Sequence, residues 1–110
     1  MAEISLGQQD AGGTRSARPG DLVRIHLEET PASGFRWQVE EFDQNVLEPA
    51  GDRFLPPPGV ERGGRGRREL RFSVVGAGRG RVRLTLRRPW QGVEAAARRY
   101  ETTIEAAPGS

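Results

Sequence analysis

The sequence predicts an all-β chain folded as an antiparallel β-sandwich of about seven to eight strands, and three observations support this. Short runs alternate apolar and polar residues with a period of two, the mark of strands that bury one face. The clearest run sets Val82, Leu84 and Leu86 against Arg81, Arg83, Thr85 and Arg87. Turn residues punctuate these runs, with 15 Gly and 8 Pro in 110 residues. Apart from one alanine-rich stretch, nothing reads as helix.

Taken in order, the elements are short. Ile4 and Leu6 form an isolated apolar piece, and residues 17–21 read as a tight turn around Pro19-Gly20. A strand over 22–28 turns Val23, Ile25 and Leu27 inward and leaves His26 on the outer face as an ordinary surface residue. A loop, Glu29 to Gly34, precedes a strand that starts at Phe35, with Phe35, Trp37 and Val39 on one side. Residues 42–51 read as an irregular connection in which Phe42, Val46 and Leu47 cap the core, and a short strand follows over 52–55. Pro56-Pro57-Pro58 forbids regular pairing, so residues 59–66 form a long Gly/Arg-rich loop. A strand over 68–75 points Leu70, Phe72 and Val74 inward, and 76–80 is a tight return. The strand 81–87 ends at Pro89, which cannot donate to a ladder. Residues 91–97 continue the loop with a possible helical turn at 95–97, and a last strand over 98–106 places Tyr100, Thr102 and Ile104 inside. Together these make one domain over 1–110, with its core at about 14–106 and a frayed tail at 107–110.

Composition excludes several chemistries. The chain has no cysteine and a single histidine, His26, so disulfides, thiolate chemistry and multi-histidine metal sites are absent, and neither metal nor cofactor is expected. Ser33 and Ser73 have no nearby base, and adjacent acids such as Glu28-Glu29 point to opposite faces and read as solvated strand ends, so an enzyme is not expected. All 17 basic residues are arginine, yet the net charge is only +2. An Arg-, Ala-, Gly- and Pro-rich composition fits a GC-rich bacterial genome. No apolar run is long enough to span a membrane, and no signal peptide opens the chain as written. The expectation is a cytoplasmic monomer, or a periplasmic or secreted one if the chain is a trimmed piece.

Antiparallel strands send alternate loops to opposite ends. Residues 30–34, 63–66 and 88–90 should therefore gather at one end, with the 76–80 turn at the other. Loops collected on a rigid sandwich make a recognition surface. Trp90, just past a strand-ending proline and flanked by arginine, has the composition of a binding hot spot, whereas Trp37 reads as core.

These three loops resemble those of the chagasin-type inhibitors of papain-like cysteine peptidases, an immunoglobulin-like family. That family carries Asn-Pro-Thr-Thr-Gly-Tyr/Phe, Gly-x-Gly-Gly and Arg-Pro-Trp loops in this order. Here the matching residues are Thr30, Pro31, Ala32, Ser33, Gly34 and Phe35; then Gly63, Gly64, Arg65 and Gly66; then Arg88, Pro89 and Trp90. Thr30 replaces the asparagine, Ala32 and Ser33 the threonines, and Arg65 stands where a glycine is usual. The resemblance implies a reversible inhibitor that fills a peptidase cleft with three loops. Loop 30–34 would cover the catalytic centre, with Ser33 supplying the hydroxyl of the family's last threonine. Trp90 would stack on one wall, and loop 63–66 would close the other side. Two other readings stand beside it: an immunoglobulin-like binding module without inhibitory activity, and a nucleic-acid binder using Arg62 to Arg68. The third weakens if the strand arginines pair with Glu101 and Glu105 on the neighbouring strand.

Overall fold

A computed structural model describes residues 2–57 and 65–108. Among the described residues, eight strands build two four-stranded sheets. They are β1 (Glu3–Leu6), β2 (Thr14–Ala17), β3 (Leu22–Glu29), β4 (Arg36–Phe42), β5 (Leu47–Leu55), β6 (Gly66–Val74), β7 (Gly78–Arg87) and β8 (Arg98–Ala106). The first sheet has the order β1-β3-β6-β5 and the second β2-β8-β7-β4. The sandwich class is as the alternation predicts. The exceptions to antiparallel pairing are at the N-terminus, where β1 runs parallel to β3 and β2 parallel to β8. Residues 7–13 carry the chain from one sheet to the other, so a single N-terminal segment serves an edge of both. Leu6 is fully buried, and the core therefore begins well before residue 14.

Inward positions follow the period of two. Val23, Ile25 and Leu27 on β3 and Leu70, Phe72 and Val74 on β6 face Val82 and Leu84 on β7 and Tyr100 and Ile104 on β8. Trp37 is the largest of these side chains and is 1% exposed. Tyr100 donates its hydroxyl to the Gly7 carbonyl at 3.1 Å. Burial, reinforced by Asp10, pushes its phenol up to about 12.

Several sequence expectations need correction. The irregular connection expected over 42–51 is mostly strand: β4 runs to Phe42 and β5 starts at Leu47. Pro49 and Gly51 concealed it. β5 is an edge strand, where a missing N–H is tolerated, and its register shifts between those two residues. Phe35 lies outside β4 and is half-buried at the rim rather than in the core. Gly66 belongs to β6 rather than to a loop. It is buried against Phe54 and the Leu55 carbonyl, where a methyl group would not fit. β7 begins at Gly78, which shortens the return from β6 to residues 75–77. The turn near 95–97 is a single 3₁₀ turn at Val93–Ala95.

His26 is not an ordinary surface residue. Its Nε2 lies 2.9 Å from Glu69 Oε2, and Glu69 is 2% exposed on the outer face of the first sheet. Arg53 binds the other Glu69 oxygen at 3.0 Å. Burial alone would raise the Glu69 carboxyl, but the hydrogen bonds from His26 and Arg53 outweigh it and hold the group below the usual carboxylate range.

Candidate functional site

β3, β5 and β7 all run toward one end of the sandwich, so the loops that follow them share it. The link from β6 to β7 closes the opposite end, where Val75 N donates to the Val46 carbonyl at 2.8 Å. Of the expected site residues, Gly63 and Gly64 lie outside the described residues. The structure places the others, except Gly66, in or beside the two remaining loops.

The 30–34 loop is a single 3₁₀ turn, Pro31–Ser33, closed by Gly34 at φ 82. Proline suits the first turn because its missing N–H would be unpaired there, and only glycine takes the left-handed angle cheaply. Ser33 does local work: its hydroxyl donates to the Thr30 carbonyl at 2.7 Å and accepts from Phe35 N at 3.1 Å. Pro31, Ala32 and Ser33 form an exposed, uncharged tip.

The second loop starts where β7 ends. Gln91 N donates to the Arg88 carbonyl at 2.9 Å, closing a turn around Pro89 and Trp90, and Arg87 holds the Gln91 carbonyl from below. Trp90 stands out at 75% exposure, against 1% for Trp37. Arg88 joins the two loops: its guanidinium carbon lies 4.4 Å from the centre of the Phe35 ring. Gly34 also sits beneath the Arg88 side chain. Arg65, 77% exposed, reaches Glu28 at 3.6 Å. A shallow pocket lined by Glu28, Thr30, Ser33, Phe35, Arg65 and Arg98 runs between these segments.

Beneath the loops lies a network that reading the sequence missed. Glu29, expected to be solvated, is 4% exposed, and Arg68 is 7% exposed. Arg68 Nη2 meets Glu29 Oε1 at 2.7 Å, and its Nε spans both carboxylate oxygens at 3.1 and 3.2 Å. Asp52 takes Nη1 at 2.8 Å. Burial alone would lower the guanidinium's pKa, but these carboxylates outweigh it and raise the pKa further. Glu29 Oε2 also accepts Trp37 N at 2.8 Å, and the indole N–H donates to the Glu28 carbonyl at 2.9 Å. The last residue before the first loop is thereby tied to β6 and β4. The signal lay in the alternation: continued forward from Val23, Ile25 and Leu27, it turns Glu29 inward, and continued backward from Leu70 and Phe72, it turns Arg68 inward.

Comparison with known proteins agrees with this geometry. The family model described as chagasin family peptidase inhibitor matches residues 16–104. The chain belongs to the chagasin family. It is 29% identical over 99 residues to chagasin from Trypanosoma cruzi, covering 86% of this chain and 90% of that protein. In fold it is similar to a cysteine protease inhibitor from Entamoeba histolytica, with a TM-score of 0.83 at 20% identity over 97% of each chain. It is also similar to PbICP-C, solved in complex with falcipain-2, with a TM-score of 0.57 at 12% identity over 96% of this chain and 88% of that one. The chagasin family is one of inhibitors, so this chain is not an enzyme.

Proposed function

We propose that the chain is a reversible inhibitor of papain-like cysteine peptidases that occupies the active-site cleft with the loops at one end of its sandwich. The observation that carries this reading is the pairing of an uncharged 30–34 tip, folded into one 3₁₀ turn, with an exposed Trp90, joined through Arg88 and Phe35. Family membership and the neighbour solved in complex with falcipain-2 support the partner class. Loop 30–34 would cover the catalytic centre and Trp90 an adjoining wall. Gly63, Gly64, Arg65 and Gly66 would close the other side, with buried Gly66 setting where that segment leaves the sheet. A loop already pinned by Pro31, Ser33 and Gly34 loses little entropy on docking, so more of its contact energy remains as affinity.

The arginine face of β7 gives nucleic-acid binding no support. Arg83 pairs with Glu101 at 3.0 Å, Arg79 with Glu105 at 3.2 Å, and Arg81 with Glu101 at 3.7 Å. Inhibition of papain and of a cathepsin L-type enzyme by the purified protein tests the proposal. Dose-dependent inhibition that reverses on dilution is expected. Full peptidase activity at saturating protein would leave the non-inhibitory binding module as the better reading.

A further inference from the structure

The arginines are unevenly satisfied. Along the sheets most are paired: Arg24 with Glu3, Arg53 with Glu69, buried Arg68 with Glu29, and Arg79 and Arg83 with acids on β8. Around the loops most are not, Arg65 with Glu28 at 3.6 Å being the exception, and elsewhere Arg18 also lacks an acidic partner among the described residues. Arg36, Arg67, Arg88, Arg98 and Arg99 have no acidic partner within 4.0 Å among the described residues. Arg36 and Arg87 even stand directly opposite one another across β4 and β7, a like-charge pairing that costs stability unless something else favours it. Among the described residues the exposed acids near this end are Glu28, Glu94 and Asp52, the last bound to Arg68. A chain of net charge +2 thus concentrates its positive charge around one end.

The placement has a pattern. The tips, Pro31 to Ser33 and Pro89-Trp90, are uncharged and exposed, while the arginines ring their base at the strand ends. That is the anatomy of an interface with an apolar centre and a charged rim. Charges at a rim act mainly on encounter: they speed association, set its salt dependence and leave dissociation nearly unchanged. They reinforce one another over roughly 8 Å at physiological salt, a distance comparable to the spacing of adjacent strand ends.

We infer that the loop end is an electrostatic docking collar, and that the peptidase it fits has an excess of Asp and Glu around its cleft. This inference rests on the proposed inhibition and names the kind of target. Discrimination among papain-like enzymes then comes from association rate, with acid-rimmed clefts captured faster than neutral ones.

The test is stopped-flow inhibition of two papain-like peptidases, one with an acid-rich cleft rim and one with a neutral rim, over a range of salt. Wild type is compared with Arg36→Glu/Arg98→Glu at the loop end. Arg18→Glu/Arg79→Glu, at the other end, carries the same change in net charge. The loop-end variant should associate about tenfold more slowly with the acid-rimmed enzyme at low salt. Its dissociation should be unchanged, and the gap should close as salt rises. The control variant should stay near wild type, and thermal melts confirm that all three are folded. Equal association rates for the two variants, or rates indifferent to salt, would overturn the collar while inhibition itself stands. No inhibition of either enzyme by wild type would overturn the proposed function and the collar with it. Binding of a single-stranded oligonucleotide at physiological salt, lost only in the loop-end variant whose association rates are unchanged, would reassign the basic end to nucleic acid.

Discussion

The two ends of the sandwich are closed by different chemistry. At the far end the turns are stitched by backbone hydrogen bonds: Gly20 N to Val74 O at 2.7 Å, Val74 N to Asp21 O at 2.9 Å, and Val46 N to Asp43 O at 3.1 Å. Val46 plugs the gap from inside, packed over Gly80. Among the described residues, that end buries no charged side chain and leaves no large aromatic fully exposed. The loop end spends its inward positions on Glu29 and Arg68 and leaves Trp90 outside. An end that only has to be stable is closed by backbone pairing and small apolar contacts. An end that must hold irregular loops in one shape needs side chains that reach several elements at once. A carboxylate bonded to both Arg68 and Trp37 N does so.

Glu29→Ala should break this contrast most severely. It leaves the Arg68 guanidinium buried without its main partner, which typically costs about 3–5 kcal/mol. Thermal unfolding should show that loss, and inhibition should weaken in the fraction that remains folded. At the far end, Gly76→Ala places a methyl against the Asn45 carbonyl and should cost about 1–3 kcal/mol of stability. There, inhibition measured below the melting transition should be unchanged, since no loop residue moves. Gly34→Ala sharpens the comparison from the other side. Its added carbon would sit an acceptable 3.6 Å from Arg88 Nε, so the cost is the left-handed angle alone, about 1–2 kcal/mol. A modest drop in melting temperature with a clear loss of affinity is the expected pair of results.

The smallest effect belongs to the outer face of the first sheet. Because the folded Glu69 carboxyl lies below its ordinary range, its contribution is fully present above the usual glutamate value and is lost as pH falls through the folded value. A pH series of melts should therefore show a shallower acid decline for Glu69→Gln than for wild type. Identical acid limbs would mean that the His26–Glu69–Arg53 cluster is not linked to folding.

What could be read from the sequence follows from what alternation encodes. Trp37 and Trp90 were separable because one continues an inward series and the other follows a proline that ends the strand. The grouping of loops came from strand direction alone. β5 was hidden because Pro49 and Gly51 carry turn chemistry inside an edge strand, where the sheet tolerates it. Phe35 was misplaced because the register of β4 cannot say whether a residue just before Arg36 still faces the core. In the structure it turns to meet Arg88. Glu29 is misread because charge suggests solvent, and Arg68 enters the sequence reading only as the end of a basic run. Their inward parity was the better guide, since each charge has the other as a partner. The parallel pairing of β1 and β2 has no local signal at all, being set by where the N-terminal segment finds two open edges.

The central claim, that the loop end is the inhibitory surface, turns on Trp90. Trp90→Ala should weaken inhibition of a papain-like peptidase by about 2 kcal/mol or more, roughly thirtyfold in the inhibition constant. Its melting temperature should stay close to wild type, because a side chain 75% exposed contributes little to the core. Arg71→Ala, on the outer face of the first sheet, should leave inhibition unaltered. A thirtyfold loss without unfolding is the result the account predicts, and inhibition by Trp90→Ala equal to that of wild type would contradict it.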